Sequence, residues 1–257
     1  MDNLKKRVLS GIIGLTFMIV VVLKGDILLN ISLFLISMIG LREIFNAFRN
    51  LSINPVKWLG FLSCVFIYLS IYLQFDINML MILIALILLI NYVLNEKIHF
   101  IDISATFFSI IYVPFMLINI SYLSNTRYIW MIFTIAFGTD TFAYLIGSTF
   151  GKHKLCPKLS PKKSVEGAIG GIFGSLITTL VYSYFFAPNS LWLIALLAIV
   201  ASIIAQFGDL VASKLKREAG IKDYGNIIPG HGGILDRFDS IIFVAPIVFY
   251  FSKFFLF

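Results

Sequence analysis

Charged residues are scarce in this sequence. They make up 13% of its 257 residues, whereas 60% are hydrophobic, and an ordinary soluble protein has about a quarter charged. A soluble fold of this size could not enclose so much apolar surface, so the bilayer must solvate most of the chain. Cysteine is scarce too. Cys64 lies in an apolar run and Cys156 in a basic loop, which indicates two unpaired thiols rather than a disulfide framework.

The apolar runs lack the alternation of barrel strands, and most approach the roughly 20 residues of a spanning helix. The sequence therefore predicts an all-α, polytopic membrane protein with about nine transmembrane helices. The predicted segments are 8–23, 27–41, 58–73, 77–94, 105–123, 128–147, 168–186, 191–212 and 240–257. The first two are short, and a shallow re-entrant pair is the alternative for them. No small-residue cleavage site follows the first run, so we predict a retained span.

The distribution of basic residues predicts the orientation of these helices. With the N-terminus in the cytoplasm, only Lys24, Arg127 and Lys253 of the 20 basic residues fall outside. We therefore expect a multi-pass protein of the cell membrane with its C-terminus outside. The two large polar segments, 148–167 and 213–239, then face the cytoplasm. We interpret residues 1–257 as a single integral membrane domain.

Acidic residues are few, and their positions are informative. Asp209, Asp223, Asp236 and Asp239 fall within 31 positions, and Asp140 lies inside the sixth apolar run. A carboxylate within a span costs about 2.5–3.5 kcal/mol on insertion scales, so it usually faces a cavity and marks a functional site. The alternative for Asp140 is a structural role, with its carboxylate bonded to neighbouring hydroxyl groups.

Segment 213–239 combines three features that suit phosphate chemistry. Its dense positive charge comes from Lys214, Lys216, Arg217 and Lys222. A glycine-rich turn at 229–233 would let backbone N–H groups approach a phosphate. Asp236 and Asp239 share one helix face and, with Asp209, could hold a hard cation such as Mg²⁺. This pattern indicates phosphoryl or nucleotidyl transfer; the alternative is a solvated loop with helix caps.

The other polar segment has two lysines, Lys162 and Lys163, beside Ser164 at a predicted helix start, which suits an anion. The alternative is lysines that only set the orientation. Stretch 147–153 is not a P-loop, because three residues rather than four separate its glycines. His231, between glycines, is expected to contact a ligand. The GxxxG spacings in 167–174 predict close helix packing, within the chain or between protomers.

The run from Ser213 to Asp239 resembles the signature of the phosphatidate cytidylyltransferase family, the CDP-diglyceride synthases. The matching elements are Ser213, Lys216-Arg217, Lys222-Asp223, Pro229 to Gly233, Asp236-Arg237 and Asp239. Stretches 160–167 and 140–147 are similar to two further family segments, with Ser164 in place of the usual Thr. The resemblance covers about 140–240, the predicted catalytic region, whereas the helices of residues 1–130 carry no matched motif.

The resemblance implies that CTP and phosphatidic acid react to give CDP-diacylglycerol and pyrophosphate, with Mg²⁺ and, as an option, a second cation such as K⁺. It implies Asp209 and Asp236 as metal ligands. The implied catalytic residues are Lys216, Arg217, Lys222, Asp223, His231, Arg237 and Asp239. The implied substrate-binding residues are Asp140, Ser160, Lys162, Lys163, Ser164, Ser213, Gly230, Gly232 and Gly233. The expected partners are the two substrates, the lipid bilayer and a second copy of the chain, with no nucleic acid.

Three other functions stay open at this point. A CTP-dependent polyprenol kinase would share basic loops and carboxylates but would transfer the γ-phosphate. A transporter would use Asp140 and Asp209 as ion sites near the midplane, although the polar residues crowd one edge and no inverted repeat is apparent. A scaffold would have no reason to place four aspartates beside five basic residues.

Overall fold

A computed structural model describes residues 2–228, 230 and 232–256, with side chains from residue 10 onward. Its helices are α1 (Asp2–Lys24), α2 (Asp26–Asn50), α3 (Lys57–Leu73), α4 (Ile77–Leu94), α5 (Phe100–Ile110), α6 (Met116–Tyr122), α7 (Ile129–Phe150), α8 (Val165–Phe186), α9 (Leu191–Glu218) and α10 (Leu235–Phe255). A π-helical turn, Ile111–Phe115, joins α5 to α6. The prediction of an all-α polytopic membrane protein is confirmed.

Within the described residues, seven helices are long and apolar enough to cross a membrane, counting Phe100–Tyr122 as one. Ser10–Lys24 and Lys57–Leu73 are shorter apolar helices. Each predicted apolar segment therefore corresponds to a helix, but the count of nine spans stays a prediction. Both cysteines are free, as expected.

Several helices continue past the apolar segments that predicted them. Helix α2 runs to Asn50, α9 runs to Glu218, and α10 already begins at Leu235. The apolar run marks only the part of a helix that lipid can solvate, whereas the helical hydrogen bonds continue through the polar residues beyond it. Of the segment predicted as a polar loop over 213–239, residues 213–218 and 235–239 are therefore helical.

A small β-hairpin interrupts the helices in the other polar segment. Strands β1 (Lys154–Cys156) and β2 (Ser160–Ser164) pair antiparallel, with Lys154 opposite Ser164. Periodicity did not predict this hairpin, because its strands have only three and five residues. Its second strand leads directly into α8, which fixes the lysines of that strand at the helix start.

The chain forms two compact units. The first contains residues 1–121 and 218–237, and its core lies among α2, α3, α5 and the π-helical turn. Leu41, Phe45 and Ile67 are fully buried there. The Ser37 and Tyr68 hydroxyl groups, 2.8 Å apart, link α2 to α3. The signature loop, which we define as residues 219–234, thus belongs to the same unit as the N-terminal helices.

The second unit contains residues 122–217 and 238–257. Helices α7 and α8 pack closely, because small residues face α7 along one side of α8. A Cβ on Gly171 would lie 2.9 Å from the Thr139 carbonyl oxygen, and a Cβ on Gly174 would collide with Phe142. The GxxxG spacings therefore serve packing within the chain. Thr139 also donates a 2.8 Å hydrogen bond to Ser202 of α9. The single domain over residues 1–257 stays a prediction.

Candidate active site

The signature loop is closed by its own backbone and anchored at its start by α2. The Asn50 side chain donates to the Ala219 carbonyl oxygen at 3.4 Å. The Ile228 N–H donates to the Gly232 carbonyl oxygen at 3.0 Å. Gly230 and Gly232 have φ angles of 77° and 88°, in the left-handed region that favours glycine. Gly230 and Gly232 are therefore positions where the backbone favours glycine.

Two buried carboxylates accept the backbone N–H groups where this loop enters α10. Glu43 of α2 accepts from Ile234 at 2.9 Å and from Leu235 at 2.8 Å, one bond to each carboxylate oxygen. Asp236 accepts through Oδ2 from Tyr224 at 2.8 Å and from Gly233 at 2.9 Å. The exposed fractions of Glu43 and Asp236 are 4% and 8%. Three successive N–H groups, from 233 to 235, are thus bonded to protein carboxylates.

This arrangement gives two of the loop glycines a structural role. A Cβ on Gly233 would lie 2.5 Å from Oε1 of Glu43, and a Cβ on Gly225 would lie 2.6 Å from the same atom. Glycine at both positions makes room for the glutamate. The N–H of Gly233 is already bonded to Asp236, so any phosphate cradle in this turn relies on other backbone groups.

Glu43 was not predicted as a site residue, although the sequence contained a signal for it. The rule that drew attention to Asp140 and Asp209, a carboxylate within an apolar helix, applies to Glu43 as well. The predicted apolar segment ended at residue 41, whereas α2 continues to Asn50. The helices that carry no matched motif therefore supply the residue that holds the signature loop.

In the second unit, Asp209 of α9 is the centre of a charged group. Oδ2 of Asp209 lies 2.6 Å from the Lys163 ammonium of β2. Its Oδ1 accepts a 3.2 Å hydrogen bond from the Ser213 hydroxyl one turn later. Because side chains alternate along a strand, Lys163 is half-buried whereas the neighbouring Lys162 is exposed. The unpredicted hairpin is what directs one of the two lysines to the aspartate.

Two more aspartates of this unit meet at Ser240. The Ser240 hydroxyl lies 3.3 Å from Oδ2 of Asp140 and 3.5 Å from Oδ1 of Asp239. The N–H of Ser240 donates to the same Asp239 oxygen at 2.9 Å. Asp209, Asp140 and Lys216 all act electrostatically on Asp239. Three carboxylates and two lysines are thereby concentrated in one region of the second unit.

The start of α8 is organised by its own side chains. Ser164 is the N-cap residue and accepts from the Gly167 N–H at 3.1 Å. Glu166 in the first turn accepts from the Lys152 and His153 N–H groups at 3.1 and 3.2 Å. The same carboxylate lies 2.6 Å from Nδ1 of His153. The hydroxyl predicted to bind substrate therefore caps the helix.

Comparison with known proteins assigns the chain to a family. The model of the cytidylyltransferase family matches residues 5–255. The phosphatidate cytidylyltransferase of Staphylococcus saprophyticus is 38% identical over 262 residues, covering 95% of this chain and 97% of that protein. The chain belongs to the cytidylyltransferase family. Proteins of the same name from Staphylococcus epidermidis and Staphylococcus aureus are each 36% identical over 259 residues, again covering 95% of this chain and 97% of each relative.

This cytidylyltransferase brings part of the predicted site together. The second unit holds Asp209, Lys163, Ser213 and Lys216 together with Asp140 and Asp239. The first unit holds Asp236 beside Gly232 and Gly233, and Glu43 beside Gly233. Five predicted site residues are exposed: Arg217, Lys222, Asp223, Gly230 and Arg237. Ser160 is half-buried. The prediction for His231 lies outside the described residues. The predicted role of each residue stays a prediction.

Each of the two predicted ligands, Asp209 and Asp236, offers the carboxylate oxygens that Mg²⁺ prefers. Among the described residues, no group of three histidine, cysteine or acidic side chains is placed to hold a metal unaided. Mg²⁺ is usually bound through one or two carboxylates together with substrate phosphates and water. Ligand carboxylates are commonly oriented by hydrogen bonds, and both predicted ligands are: Asp209 by Ser213, and Asp236 by two backbone N–H groups.

Proposed function

We propose that this chain is a phosphatidate cytidylyltransferase, which converts CTP and phosphatidic acid to CDP-diacylglycerol and pyrophosphate. The observation that carries this proposal is the match to relatives of that name over 95% of the chain. The signature between Ser213 and Asp239 supports it independently, because these residue types suit charge neutralisation during nucleotidyl transfer.

In the proposed reaction, an oxygen of the phosphatidate phosphate attacks the α-phosphorus of CTP in line. A new P–O bond forms, and the bond from the α-phosphorus to pyrophosphate breaks. The attacking oxygen is already ionised near neutral pH, so the chain needs no strong general base. Its residues would act by positioning the two phosphates and by offsetting their charge.

We propose that basic residues of the signature hold the triphosphate and the lipid phosphate. They are Lys216, Arg217, Lys222 and Arg237. Lys163 is a fifth candidate, because its ammonium lies against Asp209 and can also contact a phosphate bound there. The hydrogen bonds from the turn to Glu43 and Asp236 would keep the signature loop in one conformation, so that Lys222 within it need not be ordered anew in each cycle.

Asp209 and Asp236 remain our proposed ligands for Mg²⁺, with a second cation such as K⁺ as a further option. A bound magnesium ion would neutralise phosphate oxygens and stabilise the charge that develops on pyrophosphate. The chain contributes the orientation of both carboxylates through Ser213 and through the N–H groups of Tyr224 and Gly233. Asp239, beside Ser240, would add negative charge nearby.

We also propose the setting of the reaction. The apolar helices suit a bilayer, where the lipid substrate resides. The basic residues favour cytoplasmic placement of the N-terminus and of both polar loops, with the C-terminus outside. A homodimer is a further proposal, on the family resemblance alone, because the small residues of α8 already pack against α7.

The test is an assay of the detergent-purified chain with phosphatidic acid, Mg²⁺ and CTP labelled at the α- or the γ-phosphate. We expect the α label in the lipid product, the γ label in pyrophosphate, and no product when Mg²⁺ is chelated. Asp209→Asn should lower the rate by roughly a hundredfold or more. Glu96→Gln, which changes an exposed glutamate, should not.

Two outcomes would contradict the proposal. In a parallel reaction supplied with a polyprenol, transfer of the γ label to that alcohol would indicate a kinase instead. No product from folded wild-type protein, with or without added K⁺, would refute the cytidylyltransferase assignment. Full activity of Asp209→Asn would keep the reaction but remove this residue from the metal site.

A further inference from the structure

A basic cavity lies between α2 and α3 in the first unit; its basic residues contribute to the orientation signal, but neither the sequence motifs nor the proposed reaction assigns it a ligand. Its volume is about 330 Å³, within the size range of small-ligand sites. It is lined by Arg42, Phe45, Asn46, Arg49, Lys57 and Phe61. The lining thus combines three cations, one amide and two phenyl rings, and it contains no acidic residue.

The three cations have no partner of their own in the described part of the chain. Arg42, Arg49 and Lys57 form neither an ion pair nor a side-chain hydrogen bond there. Three unneutralised positive charges around one cavity repel each other, and an anion between them would remove that repulsion. A phosphate, with up to two negative charges, suits such a group.

Helix dipoles account for only one of the three charges. Arg49 lies in the last turn of α2, where the dipole favours a cation. Arg42 lies two turns earlier, and Lys57 is the first residue of α3, where the dipole disfavours a cation. Helix α3 has neither a side-chain cap nor an acidic residue in its first turn. Its N-terminus therefore adds to the positive potential of the cavity.

The position of Lys57 is fixed by the preceding turn. The Asn54 N–H donates to the Asp102 carboxylate at 2.6 Å, and the Val56 N–H donates to the Thr106 hydroxyl at 2.8 Å. Both acceptors belong to α5. Helix α5 thus fixes the backbone that leads into Lys57 at the edge of the cavity.

The apolar part of the lining indicates an amphiphile rather than a free ion. Phe45 is fully buried and packs edge-on against Phe61, with ring centroids 5.8 Å apart. Trp58, next to Lys57, is 59% exposed, and exposed tryptophans of membrane proteins concentrate at the headgroup level. A lipid at that depth would place its phosphate among the cations and its glycerol and upper acyl carbons against the rings.

We propose that this cavity binds the phosphate headgroup of an anionic phospholipid. Glu43, which holds the signature loop, lies beside Arg42 on the same helix. Occupation of the cavity would therefore stabilise the part of α2 that positions the loop. Neither the binding nor its test requires the proposed cytidylyltransferase activity.

The test uses native mass spectrometry of the full chain in detergent, titrated with phosphatidylglycerol, phosphatidic acid or phosphatidylcholine. The variant carries Arg42→Gln, Arg49→Gln and Lys57→Gln. We expect wild-type protein to retain one phosphatidylglycerol in preference to phosphatidylcholine, and the triple variant to bind phosphatidylglycerol at least tenfold more weakly. Phosphatidylglycerol, a phosphodiester, reports on this cavity without being the proposed substrate.

A matched control removes three exposed lysines outside the cavity. It carries Lys97→Gln, Lys154→Gln and Lys158→Gln, which lower the net charge of +7 by the same three units. It should bind lipid like the wild type. Equal losses in both variants would show a general charge effect and overturn the proposal. So would equal retention of phosphatidylglycerol by the triple variant and the wild type.

Two further measurements test the proposal if the triple variant does not fold. Arg49→Gln alone changes one exposed side chain and should weaken phosphatidylglycerol binding at least threefold; no change would contradict the proposal. Inorganic phosphate at millimolar concentration should not displace the lipid. Displacement would show that the cavity recognises phosphate itself, and the assignment to a lipid would be wrong.

Discussion

Replacing Glu43 by glutamine should loosen the signature loop without changing the shape of the side chain. Glu43 is 4% exposed and accepts one backbone N–H on each carboxylate oxygen. Glutamine keeps one acceptor but turns an NH₂ group towards the other N–H, which then stays buried without a partner. The remaining bond also loses the charge of its acceptor.

The expected magnitude follows from these two bonds. A hydrogen bond to a charged group contributes about 1.5–3 kcal/mol, and a buried unsatisfied donor costs about 1–3 kcal/mol. The neighbouring carboxylate of Asp236 repels that of Glu43, so removing one charge offsets part of the loss. We therefore expect the held conformation of the loop to lose about 2 kcal/mol, which is roughly thirtyfold in its population relative to open forms.

The assay combines activity with a local readout. Glu43→Gln should lower kcat/KM for CDP-diacylglycerol formation at least tenfold, and amide exchange of Ile234 and Leu235 should accelerate. Glu96→Gln, at an exposed position, is the matched control. Glu43→Asp keeps the charge and should recover part of the activity. If Glu43→Gln were as active as the wild type and its two amides equally protected, the clamp would not position the loop.

Three further changes test the packing and charge of the two units. Gly233→Ala places a Cβ 2.5 Å from Oε1 of Glu43, so activity should fall at least as far as in Glu43→Gln. Gly14→Ala, with open space around the glycine, should leave activity unchanged. A fully active Gly233→Ala would show that Glu43 does not require glycine at position 233. Lys163→Gln removes the 2.6 Å ion pair with Asp209 and should raise KM for CTP severalfold with little change in melting temperature; an unchanged KM would exclude Lys163 from triphosphate binding. Gly171→Val pushes α7 and α8 apart and should lower the melting temperature in detergent by several degrees, since overpacking costs about 1–3 kcal/mol; an unchanged melting temperature would show that the helix pair can relax.

The helices were predictable because hydropathy reports the solvent of each segment. Ile77–Leu94 ends where its apolar run ends, since polar residues follow it directly. Helices α2 and α9 continue beyond the predicted segments into polar residues, and hydropathy does not register such turns. For the same reason Glu43 was not predicted, because it lies just past the predicted end of its apolar segment.

The signature was predictable because its chemistry is local. Glycines, lysines and aspartates at short spacing suffice to indicate phosphate chemistry. The partner of each side chain was not predictable, because it comes from distant parts of the chain. Lys163 and Asp209 are 46 positions apart, and Glu43 bonds to the N–H of Leu235 192 positions away.

The sequence by itself determined that the chain is an all-α membrane protein of the cytidylyltransferase family, since composition and a short motif carry that information. Only the tertiary structure decided that the N-terminal helices hold the signature loop, that a β-hairpin directs Lys163 to Asp209, and that the glycines of α8 pack against α7. The physical reason is that hydrogen bonds, ion pairs and close packing depend on distances in space. Spacing along the chain fixes such distances only within a helix, a strand or a turn.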